Sequence, residues 1–82
     1  MFEIGKMYVV PWRWHAWTID QNEISLDDQE TVILLDVISR VAAIGTYYRE
    51  EWQLKILTRD GSIATTTITK NATNYWKQAK NI

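Results

Sequence analysis

The residues with most chemistry to offer stand together in Trp12-Arg13-Trp14-His15-Ala16-Trp17. Three indoles fall within six positions of a chain that holds five tryptophans and a single histidine. Closely spaced indoles beside a guanidinium can form an aromatic platform for prolines, cations or unstacked bases. The same rings can instead cover a thin core, since one indole buries on the order of 200 Å². An imidazole suits acid–base work at neutral pH, but His15 has no Ser or Cys nucleophile in local register and no second imidazole to pair with. It reads as a solvated or hydrogen-bonded structural residue.

A second group is acidic: Asp20, Glu23, Asp27, Asp28 and Glu30. Its spacing lacks the glycine of a calcium-binding EF-hand loop, so it reads as a solvated loop or as a contact for a basic partner. A third group, Lys70, Lys77 and Lys80 with Tyr75 and Trp76, has the residue types that touch phosphates and stack on bases, or else forms an ordinary wet face. The three glycines, Gly5, Gly45 and Gly61, are too far apart to cradle a phosphate. Zero cysteines exclude disulfides, zinc ribbons and thiol chemistry. No nucleophile and base meet the outline of an active site. The expectation is therefore a protein that is not an enzyme and uses no metal or cofactor.

Composition bounds what can position these groups. Eighty-two residues with 46% hydrophobic content suit one small folded domain over residues 1–82 with a thin core. No apolar run approaches a membrane span and no secretory signal opens the chain, so a cytoplasmic location is expected. The net charge of −1 is unevenly spread. Residues 1–40 hold three bases against seven acids, net −4, and residues 41–82 hold six bases against three acids, net +3. A general nucleic-acid binder is more basic than this.

Alternation supplies the elements. Residues 4–10 read as a first strand with Met7 and Val9 on one face and Tyr8 and Val10 on the other, ended by Pro11. Across 12–19, Trp12, Trp14, Ala16 and Thr18 share one side of an extended chain; Arg13, His15, Trp17 and Ile19 share the other. Residues 20–30 read as a polar loop. Residues 31–44 admit two readings. Asp36, Ser39, Arg40 and Ala43 would form the polar stripe of a helix capped by Gly45. Against that, seven of the fourteen residues are β-branched, which disfavours a helix and suits a strand. The strand over 31–41, with a turn near 43–46, is the favoured reading. Within it Asp36 must face water or find a donor such as Arg40 or a backbone amide. Residues 47–59 alternate as a half-buried strand, with Tyr48, Trp52, Leu54 and Ile56 inward. Asp60-Gly61 then predicts a two-residue hairpin turn with positive φ at both positions, and Ser62–Ile68 the return strand. The tail reads either as a short helix carrying Ala72, Tyr75, Trp76 and Ala79, or as a tight turn at 70–74 followed by a closing strand.

Small antiparallel sheets of this kind close into barrels to remove their edges. The layout resembles the SH3-like barrel: a long arm after the first strand, a three-strand meander, then a helical turn before the last strand. Thr73-Asn74-Tyr75 is similar to the Ser-Asn-Tyr of signalling SH3 domains, and the arm with Glu23, Asp27 and Asp28 to their acidic loop. Met7-Tyr8-Val9-Val10 stands in place of their Ala-Leu-Tyr-Asp-Tyr, and Tyr47-Tyr48 in place of a tryptophan pair. The Leu-x-x-Asp-Gly-x-Ile pattern within Trp52–Ile63 resembles short SH3-like proteins encoded by bacteriophages.

The expected fold is thus mainly β, a small SH3-like antiparallel barrel with a short C-terminal helix or helical turn; an α+β fold with a helix at 31–44 is the alternative. The expected function is a non-catalytic module that binds a protein partner, or itself. The binding residues would be Trp12, Arg13, Trp14, His15, Trp17, Glu23, Asp27, Asp28, Tyr47 and Tyr48. The resemblance adds the expectation of a bacteriophage accessory or structural protein, located in the host cytoplasm or virion. A nucleic-acid-binding barrel using Arg49, Lys55, Arg59, Lys70 and the aromatics is the alternative.

Overall fold

The computed structural model describes residues 2–44 and 47–79; the side chains of residues 39–44 and 47–50 lie outside the described set. The strands are β1 (Met7–Val9), β2 (Trp14–Thr18), β3 (Glu23–Leu26), β4 (Thr31–Ile44), β5 (Tyr47–Leu57), β6 (Ile63–Thr69) and β7 (Lys77–Gln78). One helical turn, α1 (Lys70–Thr73), precedes β7. The described strands form a single antiparallel sheet in the order β3-β2-β6-β5-β4-β1-β7.

Strict alternation builds the inner face. Tyr8 enters it from β1 and Val10 from just beyond its end, Ala16 from β2, Leu26 from β3, Val32 and Leu34 from β4, and Trp52, Leu54 and Ile56 from β5. Ala64 and Ile68 enter from β6, and Ala72 and Trp76 close the cluster. Each fully buried aliphatic side chain contributes about 1.5–3 kcal/mol through removal from water. The cluster includes residues of strands near opposite ends of the sheet order, so the sheet curls around it.

The curl stops short of the expected barrel. β3 and β7 are the two ends of the sheet and do not pair with each other. The short strands explain this: among the described residues β7 spans two residues and pairs with β1, which itself spans three. Side chains and turns bridge the gap instead. Trp14 meets Trp76 edge-on at 5.4 Å. Val10 N–H donates to Glu30 O at 2.8 Å, and Gln29 N–H donates to Val10 O at 2.8 Å.

The helical alternative for residues 31–44 is overturned: the segment is β4 throughout, extending to Ile44, as its β-branched content favours. The way it accommodates Asp36 turns on parity. Val32 and Leu34 point inward, so unbroken alternation would bury Asp36. The register to β5 slips between Leu34 and Asp36, placing Asp36 opposite Lys55 and Val37 opposite Leu54. One extra residue in the strand reverses the faces. Asp36 is exposed, Val37 packs against the core, and Asp36 Oδ1 accepts the Val37 N–H at 2.8 Å.

Two other expectations change, for residues 20–30 and for the β5–β6 turn, and the open reading of the tail is decided. Residues 20–30 are not loop throughout, because Glu23–Leu26 pairs with β2. The tail takes the turn-and-strand form, so Tyr75 and Trp76 lie beyond α1 and not on a helix face. The β5–β6 turn has three residues between Thr58 and Ser62, and only Gly61 has positive φ there.

Candidate interaction surface

β2 sorts the tryptophan cluster onto two faces. Trp14 and Ala16 point toward the core side, and His15 and Trp17 point outward, as period-two alternation requires. Trp12 precedes β2 and packs on Trp14 with ring centroids 5.4 Å apart. On its other side Trp12 meets Tyr75 at 5.3 Å. The result is a chain of rings, Tyr75–Trp12–Trp14–Trp76, graded from wet to dry. Tyr75 is 59% exposed and Trp12 44%, Trp14 is half-buried, and Trp76 is 5% exposed. The Trp76 Nε1–H is buried without an acceptor among the described residues.

Tyr75 and Trp76 were assigned to the basic tail by sequence reasoning and not to the platform with Trp12. Their meeting depends on α1 turning the chain back across the gap between the sheet's ends. Nothing local in the sequence joined Tyr75 to Trp12. Beside this surface opens a cleft of about 370 Å³ lined by Phe2, Tyr8, Thr73, Asn74, Trp76 and Lys77, with Gln78. Tyr8 is held there by its own contacts: its hydroxyl accepts the Glu3 N–H at 2.6 Å, and Phe2 stacks edge-on against it at 5.1 Å.

The remaining candidates divide into separate places. Asp27 and Asp28 are exposed in the turn after β3. That turn is tied to the chain just before Trp12, because Gln29 Nε2 donates to Pro11 O at 3.3 Å and to Asp28 Oδ1 at 3.1 Å. Glu23 stands elsewhere: its carboxylate lies 2.6 Å from His15 Nδ1 on the outer face, both side chains more than half exposed. That contact links β2 to β3 at the surface, where an ion pair contributes at most about 1 kcal/mol. Trp17 lies on the outer face too, opposite Glu23 and Thr65. Arg13 is exposed in the bend before β2. The side chains of Tyr47 and Tyr48 lie outside the described residues; their backbone is at the far end of the β4–β5 hairpin.

The bases proposed for nucleic acid do not gather on one element. Lys55 stands opposite Asp36 and Thr65 on the outer face, Arg59 is in the β5–β6 turn and Lys70 opens α1. The Arg49 side chain lies outside the described residues. Among the described residues, no three His, Asp or Glu side chains come together as metal ligands would, and no helix is long and apolar enough to cross a membrane. Comparison of the chain with family models, with curated proteins and with solved structures found no match.

Proposed function

We propose that this chain is a non-catalytic interaction module that grips a polypeptide partner on the Trp12–Tyr75 surface. The observation that carries the reading is the graded ring chain: two half-exposed aromatic rings backed by Trp14 and Trp76. Rigid rings give large contact area at low entropic cost, which is why they dominate binding energy at interfaces. Asp27 and Asp28, on the turn tied to Pro11, supply negative charge beside it and favour a partner segment with a basic residue next to an apolar one.

The SH3-like reading belongs with this proposal. It is supported by the strand path: β1 lies between β7 and β4, β4–β5–β6 form a meander, and a helical turn precedes β7. A role as a bacteriophage accessory or structural protein rests on the Trp52–Ile63 resemblance.

The test is selection of peptides from a random displayed library on the immobilised protein. The expected binders carry Arg or Lys beside apolar residues. They lose at least about tenfold in affinity, roughly 1.4 kcal/mol, on Trp12→Ala or Tyr75→Ala, with far-UV circular dichroism unchanged. Binders indifferent to both substitutions sink the proposal. So does tight binding of single-stranded nucleic acid that collapses with salt and needs Lys55, Arg59 and Lys70.

A further inference from the structure

β3 ends the sheet, and its register with β2 shows which of its backbone groups face outward. Thr18 N–H donates to Asn22 O at 2.9 Å, so Thr18 and Asn22 form a bonded pair. Bonded and non-bonded pairs alternate along an antiparallel ladder. Ala16–Ile24 and Trp14–Leu26 are therefore bonded pairs, and Trp17–Glu23 and His15–Ser25 are not. A second set of contacts agrees. The His15 and Trp17 carbonyls turn away from β3 and accept the Thr66 and Thr65 hydroxyls of β6, at 2.7 Å and 3.5 Å. The amides and carbonyls of Glu23 and Ser25 thus point away from β2, off the end of the sheet. Both residues are exposed, and among the described residues no group bonds to these outward amides and carbonyls.

A groove of about 300 Å³ lies along this edge. It is lined by Ile24, Ser25 and Leu26 and by the β5–β6 turn. Ile24 and Leu26 face the core side and Ser25 the outside, so a groove that touches all three meets the strand at its edge. Its charged lining residues are Asp27, Glu30 and Asp60 against Arg59, which favours a cation. An open edge is a template for another strand, and proteins blunt such edges with lysine, proline or a bulge. β3 has none of these: it reads Glu-Ile-Ser-Leu, and its register to β2 is unbroken. At the other end of the sheet, β7 spans two residues and carries Lys77.

We infer that β3 accepts an added strand: an extended segment of a partner polypeptide, carrying a basic residue, that bonds to the Glu23 and Ser25 backbone and lies in the groove. Main-chain bonds hold such a segment, and side chains beside the edge select it. This rests on the reading of the chain as a polypeptide-binding module and states how the partner's backbone is held. The edge runs to Leu26, opposite Trp14, and the turn beyond it is tied to Pro11, so the added strand leads toward Trp12. A second copy fits the edge less well. Two β3 edges side by side would set the acids of one copy, Glu23 and Asp27, against the same acids of the other, and opposed like charges destabilise a strand pair.

Amide hydrogen exchange on the intact protein, with peptides enriched from a random displayed library, tests this. On binding, exchange at Glu23 and Ser25 should slow at least about tenfold, while Ile24 and Leu26, already bonded to β2, change less. Ser25→Pro removes an amide that β2 does not use, and should weaken binding at least about tenfold with circular dichroism unchanged. If that variant misfolds, single backbone N-methylation along the peptide keeps the protein intact, and alternate positions should lose the same factor. Peptides that need Trp12 and Tyr75 but leave exchange at Glu23 and Ser25 unchanged would overturn the added strand and spare the ring-chain grip. Peptides that protect Glu23 and Ser25 but are indifferent to Trp12→Ala and Tyr75→Ala would do the reverse. Enrichment of no peptide would overturn both. A wild type that is dimeric without peptide, with Glu23 and Ser25 already protected, would assign the edge to a second copy and overturn the inference.

Discussion

The β2–β3 and β5–β6 hairpins turn the chain with the same loop but fill its most demanding position with opposite residues. In the first, Thr18 N–H donates to Asn22 O at 2.9 Å and Gln21 N–H to Thr18 O at 2.9 Å. In the second, Thr58 N–H donates to Ser62 O at 2.9 Å and Gly61 N–H to Thr58 O at 3.0 Å. Even the threonine side chains match: Thr18 Oγ1 accepts Asn22 N–H at 3.2 Å, and Thr58 Oγ1 accepts Ser62 N–H at 3.1 Å. Each loop is a tight turn followed by one left-handed residue, the usual form of a three-residue hairpin. That residue is Gly61 at φ 89° in one loop and Gln21 at φ 66° in the other. The two loops share their backbone hydrogen bonding, and the residue at the left-handed position sets how much strain each carries.

Substitutions at the left-handed position should separate the two hairpins most strongly. Gly61→Ala places a Cβ where L-residues are strained, and should destabilise the fold by about 1–2 kcal/mol. Gln21→Gly removes that strain but adds unfolded-state entropy, for a net gain of about 0.5–1 kcal/mol. Thermal melts read both, at roughly 4–8 °C per kcal/mol for a domain of this size. Equal and same-signed shifts would end the claim that the left-handed positions of the two loops differ in strain.

The threonines should rank next. Thr58 is buried, and its hydroxyl also donates to Asp60 Oδ1, while Thr18 is half-buried. Thr58→Val should cost about 1–2 kcal/mol and Thr18→Val less than about 1 kcal/mol; urea unfolding midpoints measure the gap. A larger loss at Thr18 would reverse the comparison.

The smallest effect is pH-dependent and belongs to one loop alone. The Thr58 hydroxyl and the Ser62 amide, both donating to Asp60, hold its carboxyl below the ordinary value of 3.8. A carboxyl lowered in the folded state adds stability above the unfolded value, and that stability is lost as pH falls from there through the folded value. Asp60→Asn should therefore melt below wild type at pH 6, with the difference shrinking below about pH 3.8. A difference that is constant across this range would mean that the carboxylate charge contributes nothing.

These hairpins also mark where reading residues succeeds. Asp60-Gly61 announces a turn because glycine is free to take positive φ, although Arg59 joins the loop and Asp60 keeps negative φ. Nothing at Gln21 announces the same turn. β3 was missed because Glu23-Ile24-Ser25-Leu26 sits among acids, and its strand character comes from pairing with β2. The inward residues Trp52, Leu54 and Ile56 were legible, since they alternate with charged and polar residues; Tyr8 and Val10 could be grouped on one face, but only the structure shows that face to be the inner one. The face of Asp36 was not, because the slip opposite Lys55 is a property of two strands together. On the candidate surface, Trp12 and Trp14 were legible by clustering. Tyr75 joins them only through the path of α1.

By itself, the sequence determined a mainly β protein, favoured a β-branched strand over residues 31–41 and assigned the inward side chains of β5. Those depend on local alternation and propensity, which neighbouring residues already express. Only the tertiary structure decided that the sheet stays open and that Trp14 meets Trp76 across its ends. Each of these depends on register and curl between strands far apart in the chain, and no local run of residues encodes them.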